Sequence, residues 1–166
     1  TIIPALFAKI GDGKEQIRQL IGAALALLPQ NFEIEYIIHG LVSTAQNAKS
    51  PKILCAVMDY FAEMAGNTLP GRKHPAETSI GRNLLFVSVT LASHKNPDVR
   101  SSALGTLAAV YSTGHAAAVE NAIASMPTSP QASVTRSLAQ ILEPGSTEAS
   151  PPSPGPSPLL MERSVG

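Results

Sequence analysis

The sequence contains no tryptophan, a single cysteine and only 4% aromatic residues. With one cysteine, Cys55, an internal disulfide framework is excluded. Apolar residues still make up 44% of the chain, so the predicted core consists of alanine, leucine, isoleucine, valine and methionine. This composition favours closely packed helices over a β-sandwich. A chain of 166 residues is long enough to bury such a core without disulfides or metals.

The chain also lacks a charge excess and a long apolar run. Twelve basic and twelve acidic side chains cancel, so whole-chain charge gives no argument for a nucleic-acid partner or an anionic membrane. No apolar stretch approaches the 18 or so residues of a membrane span. We therefore expect no nucleic-acid or membrane partner. A single cysteine fits a reducing cytosol, so a cytoplasmic location is expected. The chain begins at Thr1 and residues 2–6 already have a helix-like pattern, so we expect a monomeric fragment of a larger multidomain protein.

Groups suited to catalysis or cofactor binding are missing as well. The run GDGK at 11–14 resembles part of a phosphate-binding loop, but Ala8 and Glu15 replace the glycine and the hydroxyl residue that such a loop needs. Four histidines occur at spacings that no metal site uses, at His39, His74, His94 and His115. Cys55 is predicted to be a buried structural thiol. The sequence predicts no enzyme, no metal and no cofactor.

A repeating pattern dominates residues 1–142. Each of four apolar residues follows a polar turn and opens a segment with apolar or small residues near offsets 0, 3, 4, 7, 8 and 11, which is helical periodicity. These residues are Ile17, Ile53, Val99 and Val134. They recur at intervals of 36, 46 and 35 residues, and a shorter apolar helix is predicted before each, at 4–10, 33–44, 79–92 and 115–125. The pattern predicts an all-α fold, an α-solenoid of about four HEAT-like antiparallel helix pairs.

Two segments interrupt this pattern. Residues 66–78 contain two glycines and two prolines, so they are predicted to form a loop that accounts for the longer interval. Residues 143–166 are rich in serine and proline and have little to bury, which predicts a disordered tail or linker. The Ser-Pro pairs of this tail are either phosphorylation sites or ordinary linker sequence.

Cations are concentrated at the turns within the predicted pairs. These turns, at 11–14, 47–52, 94–98 and 127–130, are expected to lie along one edge of a solenoid. Six of the twelve basic residues lie in or just after them, at Lys14, Arg18, Lys49, Lys52, Lys95 and Arg100. Such an edge suits an acidic protein partner. Two alternatives stay open: surface turns often carry lysine, and Arg18 and Arg100 have an alternative structural role.

The third pair also resembles a known family. The run HKNPDVRSSALGTL at 94–107 is similar to the turn and second helix of a late repeat in TOG domains, and YSTGHA at 111–116 is similar to the entry into their last pair. The resemblance covers about residues 2–142 and is closest to ch-TOG-type microtubule polymerases, followed by CLASP and crescerin-like domains. It implies that the chain holds the later four of about six helix pairs.

In that family the intra-repeat turns bind tubulin, and the later turns meet α-tubulin. The resemblance therefore implies tubulin contacts through Lys14, Lys49, Lys52, Lys95 and Asn96. An alternative is a generic HEAT scaffold that binds another protein through its helical face.

Overall fold

The chain is mainly helical in the part that the computed structural model describes, which is residues 2–10, 14–68 and 70–143. These residues form eight α-helices and no strand. The helices are α1 (Ile2–Ile10), α2 (Glu15–Asn31), α3 (Ile34–Asn47), α4 (Pro51–Gly66), α5 (Ser79–Leu91), α6 (Pro97–Val110), α7 (Ala116–Ala124) and α8 (Thr128–Leu142). The predicted tail at 143–166 lies outside the described residues except for Glu143.

The helices pack in two layers. In one layer α1 packs against α3, α3 against α5 and α5 against α7, while in the other α4 packs against α6 and α6 against α8. The first helices of all four pairs, α1, α3, α5 and α7, therefore form one layer, and the second helices of the later three pairs form the other, as in a HEAT-type stack. The predicted all-α solenoid of four helix pairs is confirmed. Within the described part of the chain, no helix has both the length and the apolar character that a membrane span requires.

The centre of the core lies between α4 and α6. Most of the predicted inner faces of both helices is buried, with Phe61 and Leu107 fully enclosed, while Ile53, Ala56 and Ser102 are half-buried. Thr106 is also fully buried, and its hydroxyl donates to the Met58 carbonyl of α4 over 2.8 Å. A buried hydroxyl with a partner avoids the cost of an unsatisfied polar group. This contact ties the second pair to the third.

The outer pairs depart from the predicted inner faces. Leu20 on α2 is 71% exposed and Ile141 on α8 is 45% exposed, although both belong to the predicted apolar sets. Each lies in a terminal pair, which has a neighbouring pair on one side only within the described chain. In addition, α4 packs more closely against α1 than against α2. One hydrogen bond links α4 to α2: the Tyr60 hydroxyl donates to the Leu25 carbonyl over 2.8 Å.

The connections between pairs are more ordered than the sequence predicted. The segment expected to be a loop at 66–78 contains the end of α4 and a 3₁₀ turn, Pro75–Glu77. His74 and Thr78, on either side of this turn, are buried. Between α6 and α7 the chain passes through a π-helical turn, Tyr111–His115, in which Gly114 has a φ of 88°. Glycine adopts this left-handed conformation without the steric cost of a side chain, so the chain can turn into α7.

Candidate functional site

The intra-repeat turns of the second and third pairs lie side by side. The α3–α4 turn contributes Ser50, Pro51 and Lys52, and the α5–α6 turn contributes Asn96 and Asp98, to one groove of about 560 Å³. We call this surface the turn groove. Its existence shows that turns 46 residues apart along the chain meet at a common edge.

Four of the five predicted contact residues are lysines in the intra-repeat turns. Lys14, Lys49, Lys52 and Lys95 are all exposed. Within the described residues no ion pair holds any of them. Lys14 occupies the N-cap position of α2, but its side chain makes no capping hydrogen bond there. Their ammonium groups can therefore meet an external anionic group without first breaking an internal contact.

Carboxylates make the edge more mixed than the sequence indicated. Asp59 of α4 lines the turn groove together with Asp98 and Lys52. The sequence analysis did not count Asp59 as part of the edge, because it lies in the middle of a helix. Glu15 forms an ion pair with Arg18 one helical turn away. Asp12 lies outside the described residues. A partner would therefore meet lysines flanking two acidic groups rather than a uniformly basic stripe.

Asn96 has a structural role in addition to its predicted binding role. Its Oδ1 accepts hydrogen bonds from the backbone N–H groups of Asp98 (2.9 Å) and Val99 (3.3 Å), which caps the start of α6. Pro97 occupies the first helical position, where a missing N–H is tolerated. The Asn96 oxygen is thus occupied, and only its amide N–H groups are left for a partner.

The two arginines of the edge make contacts within the chain. Arg100 Nη1 donates to the carbonyl oxygens of His94 (2.9 Å) and Lys95 (3.1 Å), so it holds the α5–α6 turn in place. Arg18 is exposed and pairs with Glu15 on its own helix. Exposed pairs of this kind contribute at most about 1 kcal/mol. These contacts support the alternative that Arg100 has a structural role. They also fix the backbone of Lys95 at the edge.

Cys55 lies in the turn groove. The sequence analysis predicted a buried thiol, but the residue is half-buried and lines the groove between Lys52 and Asp59. The prediction was wrong because the adjacent turns leave a gap above this part of α4. Among the described residues, no group of three histidine, cysteine or acidic side chains could hold a metal ion.

A second surface, which the sequence analysis missed, lies where α2, α3 and α4 meet. It is an apolar cleft of about 170 Å³ lined mainly by Leu25, Pro29, Ile34, Ile37, Tyr60 and Met64. Burial raises the pKa of Tyr60, with Glu63 adding to the effect, so the hydroxyl stays a proton donor. Leu27, on the same helix as Leu25, is 54% exposed. The cleft arises because α2 packs only loosely on α4.

The chain is similar to a known protein but matches no family model. No family model matches the chain. A CLIP-associated protein from Arabidopsis thaliana is 25% identical over 140 residues, a match that covers 84% of this chain. The chain spans only about 10% of the length of that relative. This similarity supports a TOG or HEAT-type relationship for the helical repeats.

Proposed function

We propose that this chain is a non-enzymatic tubulin-binding module of a microtubule-associated protein, and that it docks through its intra-repeat turns. The observation that carries the proposal is the set of exposed lysines on three successive turns, Lys14, Lys49, Lys52 and Lys95, none of which is held by an ion pair within the described residues. Cations on a rigid edge attract an acidic partner and orient it as it approaches.

The similarity to the Arabidopsis thaliana protein supports the same proposal. That protein is described as a CLIP-associated protein, and CLASP domains are among those that the third pair resembles. We therefore rank this group ahead of the ch-TOG-type polymerases. The finer parts of the proposal are that the α-tubulin side of the heterodimer is contacted, that the module is monomeric, and that the parent protein is cytoplasmic and located on microtubules.

Reversal of the edge charges is expected to weaken binding. Lys52→Glu/Lys95→Glu changes the net charge by four units and places carboxylates beside Asp59 and Asp98. Because each exposed pair contributes up to about 1 kcal/mol, tubulin affinity should fall by about tenfold. Binding to purified tubulin is measured by sedimentation at increasing salt, since screening weakens interactions between exposed charges.

The matched control is Lys73→Glu/Arg82→Glu. It makes the same charge change on exposed residues at the opposite edge, in the α4–α5 connection and the first turn of α5. Tubulin affinity should stay within about twofold of the wild type. Equal loss in both double variants would show that only net charge matters. Salt-insensitive binding, or no binding by the wild type, would contradict the proposal outright.

Tubulin should also protect Cys55 from modification. Cys55 is the only cysteine and lines the turn groove, so its reaction with a maleimide reports on this surface alone. A partner seated across the two turns should slow labelling by about tenfold at saturation, because a thiol must be accessible to react. Bovine serum albumin at equal concentration is the control. An unchanged labelling rate with tubulin bound would place the interface elsewhere.

The scaffold alternative has its own supporting observation. Leu20 and Leu27 lie two helical turns apart on one face of α2 and are 71% and 54% exposed. Exposed apolar side chains grouped on one face are typical of protein interfaces. If Leu20→Gln/Leu27→Gln abolishes partner binding while the lysine reversal does not, the helical face is the interface and the turn edge is not.

A further inference from the structure

Two histidines far apart in the sequence stack on each other at the edge opposite the turn groove. The rings of His74 and His115 lie 3.7 Å apart and are nearly parallel, with an interplanar angle of 9°. His74 precedes the 3₁₀ turn Pro75–Glu77, and His115 ends the π-helical turn between α6 and α7. The stack therefore joins two successive inter-repeat connections.

Hydrogen bonds determine where His74 carries its proton. The backbone N–H of Ala76 donates to His74 Nδ1 over 3.1 Å, so this nitrogen must be unprotonated. Nε2 then bears the hydrogen and donates to the Ala65 carbonyl of α4 at 3.1 Å and to the Thr113 hydroxyl at 3.1 Å. The Thr113 hydroxyl in turn donates a hydrogen bond to the Val110 carbonyl over 2.8 Å. Every polar position of the His74 ring is occupied while the ring is neutral.

His115 completes the cluster from the other side. Its Nε2 donates to Glu77 Oε1 over 3.3 Å, while its Nδ1 is buried without a hydrogen-bond partner among the described residues. A proton on that Nδ1 would be a buried donor with no acceptor. Glu77 is exposed, and its hydrogen bond with His115 lowers the pKa of its carboxyl group.

The charges around His74 come from these two neighbours. Burial lowers the pKa of His74, and the positive charge that His115 can carry lowers it further, against smaller opposing effects of the Ala65 carbonyl and Glu77. Among the described residues, α4 supplies only that carbonyl, and α3 presents no ionisable group that bonds to His74. At the start of α5, the capping residue Thr78 carries an uncharged hydroxyl, which donates to the Pro75 carbonyl.

We propose that His74 and His115 form a proton-sensitive latch, in which a neutral His74 holds segment 70–78 against the π-helical turn and protonated His74 releases it. A proton on Nδ1 would face the Ala76 N–H, so the donor that caps the 3₁₀ turn would lose its acceptor. A charge on the His74 ring would also be buried, stacked 3.7 Å from the His115 ring, and a buried charge is costly. The proposal makes no use of tubulin binding.

The direction of the pH effect follows from linkage. The folded-state pKa of His74 is lowered from the ordinary value of 6.5, so the released or unfolded chain binds the proton more tightly than the latched chain. The latch thus contributes its full stability above about pH 6.5 and loses it as the pH falls below that value. The lowered pKa of Glu77 acts in the same direction at more acidic pH.

Amide hydrogen exchange of the whole chain tests the latch. Protection of the Ala76 amide should fall by up to about tenfold between about pH 7.5 and pH 5.5, after correction for intrinsic exchange, because its acceptor is lost. In NMR titrations the His74 ring should titrate below 6.5. Trypsin cleavage after Arg72 or Lys73, both exposed beside His74, should be faster near pH 6 in wild type than in His74→Asn at that same pH.

Two variants separate a latch from general acid sensitivity. Asparagine at position 74 can still accept from the Ala76 N–H but does not titrate, so His74→Asn should remove the pH dependence of Ala76 protection. The matched control His39→Asn changes an exposed histidine on α3 and should keep it. If His74→Asn folds poorly, the wild-type titration decides. A His74 ring that titrates at or above 6.5, or a wild-type Ala76 amide equally protected at both pH values, overturns the proposal.

Discussion

Phe7→Ala is expected to lower the free energy of unfolding of the first helix pair by about 3–5 kcal/mol. Phe7 is fully buried on α1, and its ring meets Tyr60 of α4 edge to face, with centroids 5.9 Å apart. Tyr60 in turn donates its hydroxyl to the Leu25 carbonyl of α2. Loss of the Phe7 ring leaves a cavity at the point where three helices meet, and α2 has few other contacts with α4.

Urea denaturation followed by circular dichroism measures this effect, with Ile2→Ala as the matched control. Ile2 lies on the same helix but is 52% exposed, so its truncation should cost less than about 1 kcal/mol. Because stacked pairs depend on their nearest neighbours, Phe7→Ala should also separate an early transition of the first pair from the main one. Similar losses for both variants would show that α1 does not anchor the first pair.

Destabilisation of the first helix pair by Phe7→Ala has a functional consequence that can be measured separately from stability. Lys14 occupies the N-cap position of α2 in the first pair, whereas Lys52 and Lys95 belong to the second and third pairs. Detachment of the first pair should remove only the Lys14 contribution and leave the turn groove intact. Maleimide labelling of Cys55 should therefore stay close to the wild-type rate in Phe7→Ala. This separation follows from the one-dimensional character of a stack, in which each pair contacts only its neighbours.

Periodicity alone predicted most of the fold. The apolar residues of α4 and α6 recur on one face, and most of this face is buried as predicted because each helix has neighbours on both sides. The same pattern failed at Leu20 and Ile141, since a helical face is buried only where another helix covers it. Element boundaries differed by a few residues at most, as in α3, which begins at Ile34 rather than 33 and extends to Asn47 rather than 44.

Contacts between distant residues were beyond the sequence. His74 and His115 are separated by 41 positions, and nothing in their spacing indicates that two connections bring their rings together. Asp59 was assigned to a helix and not to an edge, because the groove exists only once the second and third turns are adjacent. By contrast, the capping role of Asn96 could have been predicted, since an asparagine followed by proline and aspartate is typical of a helix start.

The structural roles at the edge bear on how it would bind. The side chains of Arg100 and Asn96 both form hydrogen bonds with the backbone of the α5–α6 turn, and these bonds hold the turn in place. The lysines beside it are exposed. Exposed cations on a braced turn would favour rapid, orientation-dependent association, with the two carboxylates of the turn groove discriminating against uniformly acidic surfaces.

Gly81→Ala should destabilise the chain by about 2–4 kcal/mol, because no space exists for a side chain there. A Cβ atom at Gly81 would lie 1.8 Å from the Pro75 carbonyl oxygen and 2.8 Å from Thr78 Oγ1. The first of these is backbone, so the 3₁₀ turn itself would have to move. The Gly81 N–H also donates to the capping Thr78 Oγ1 over 2.8 Å, and displacement of this cap would cost about 1 kcal/mol of the total.

Gly105→Ala is the matched control for this substitution, since a Cβ atom at Gly105 of α6 would meet no other atom within 4 Å. That change should stabilise the chain by up to about 1 kcal/mol, because alanine is a better helix former than glycine. The two glycine substitutions should also differ in their effect on the latch. Pro75, which a Cβ atom at Gly81 would displace, follows His74 directly. Ala76 protection in Gly81→Ala should be low at every pH, whereas Gly105→Ala should keep the wild-type pH dependence. If both variants behave alike in denaturation and in exchange, the start of α5 is not braced against the 3₁₀ turn, and the latch has no rigid support.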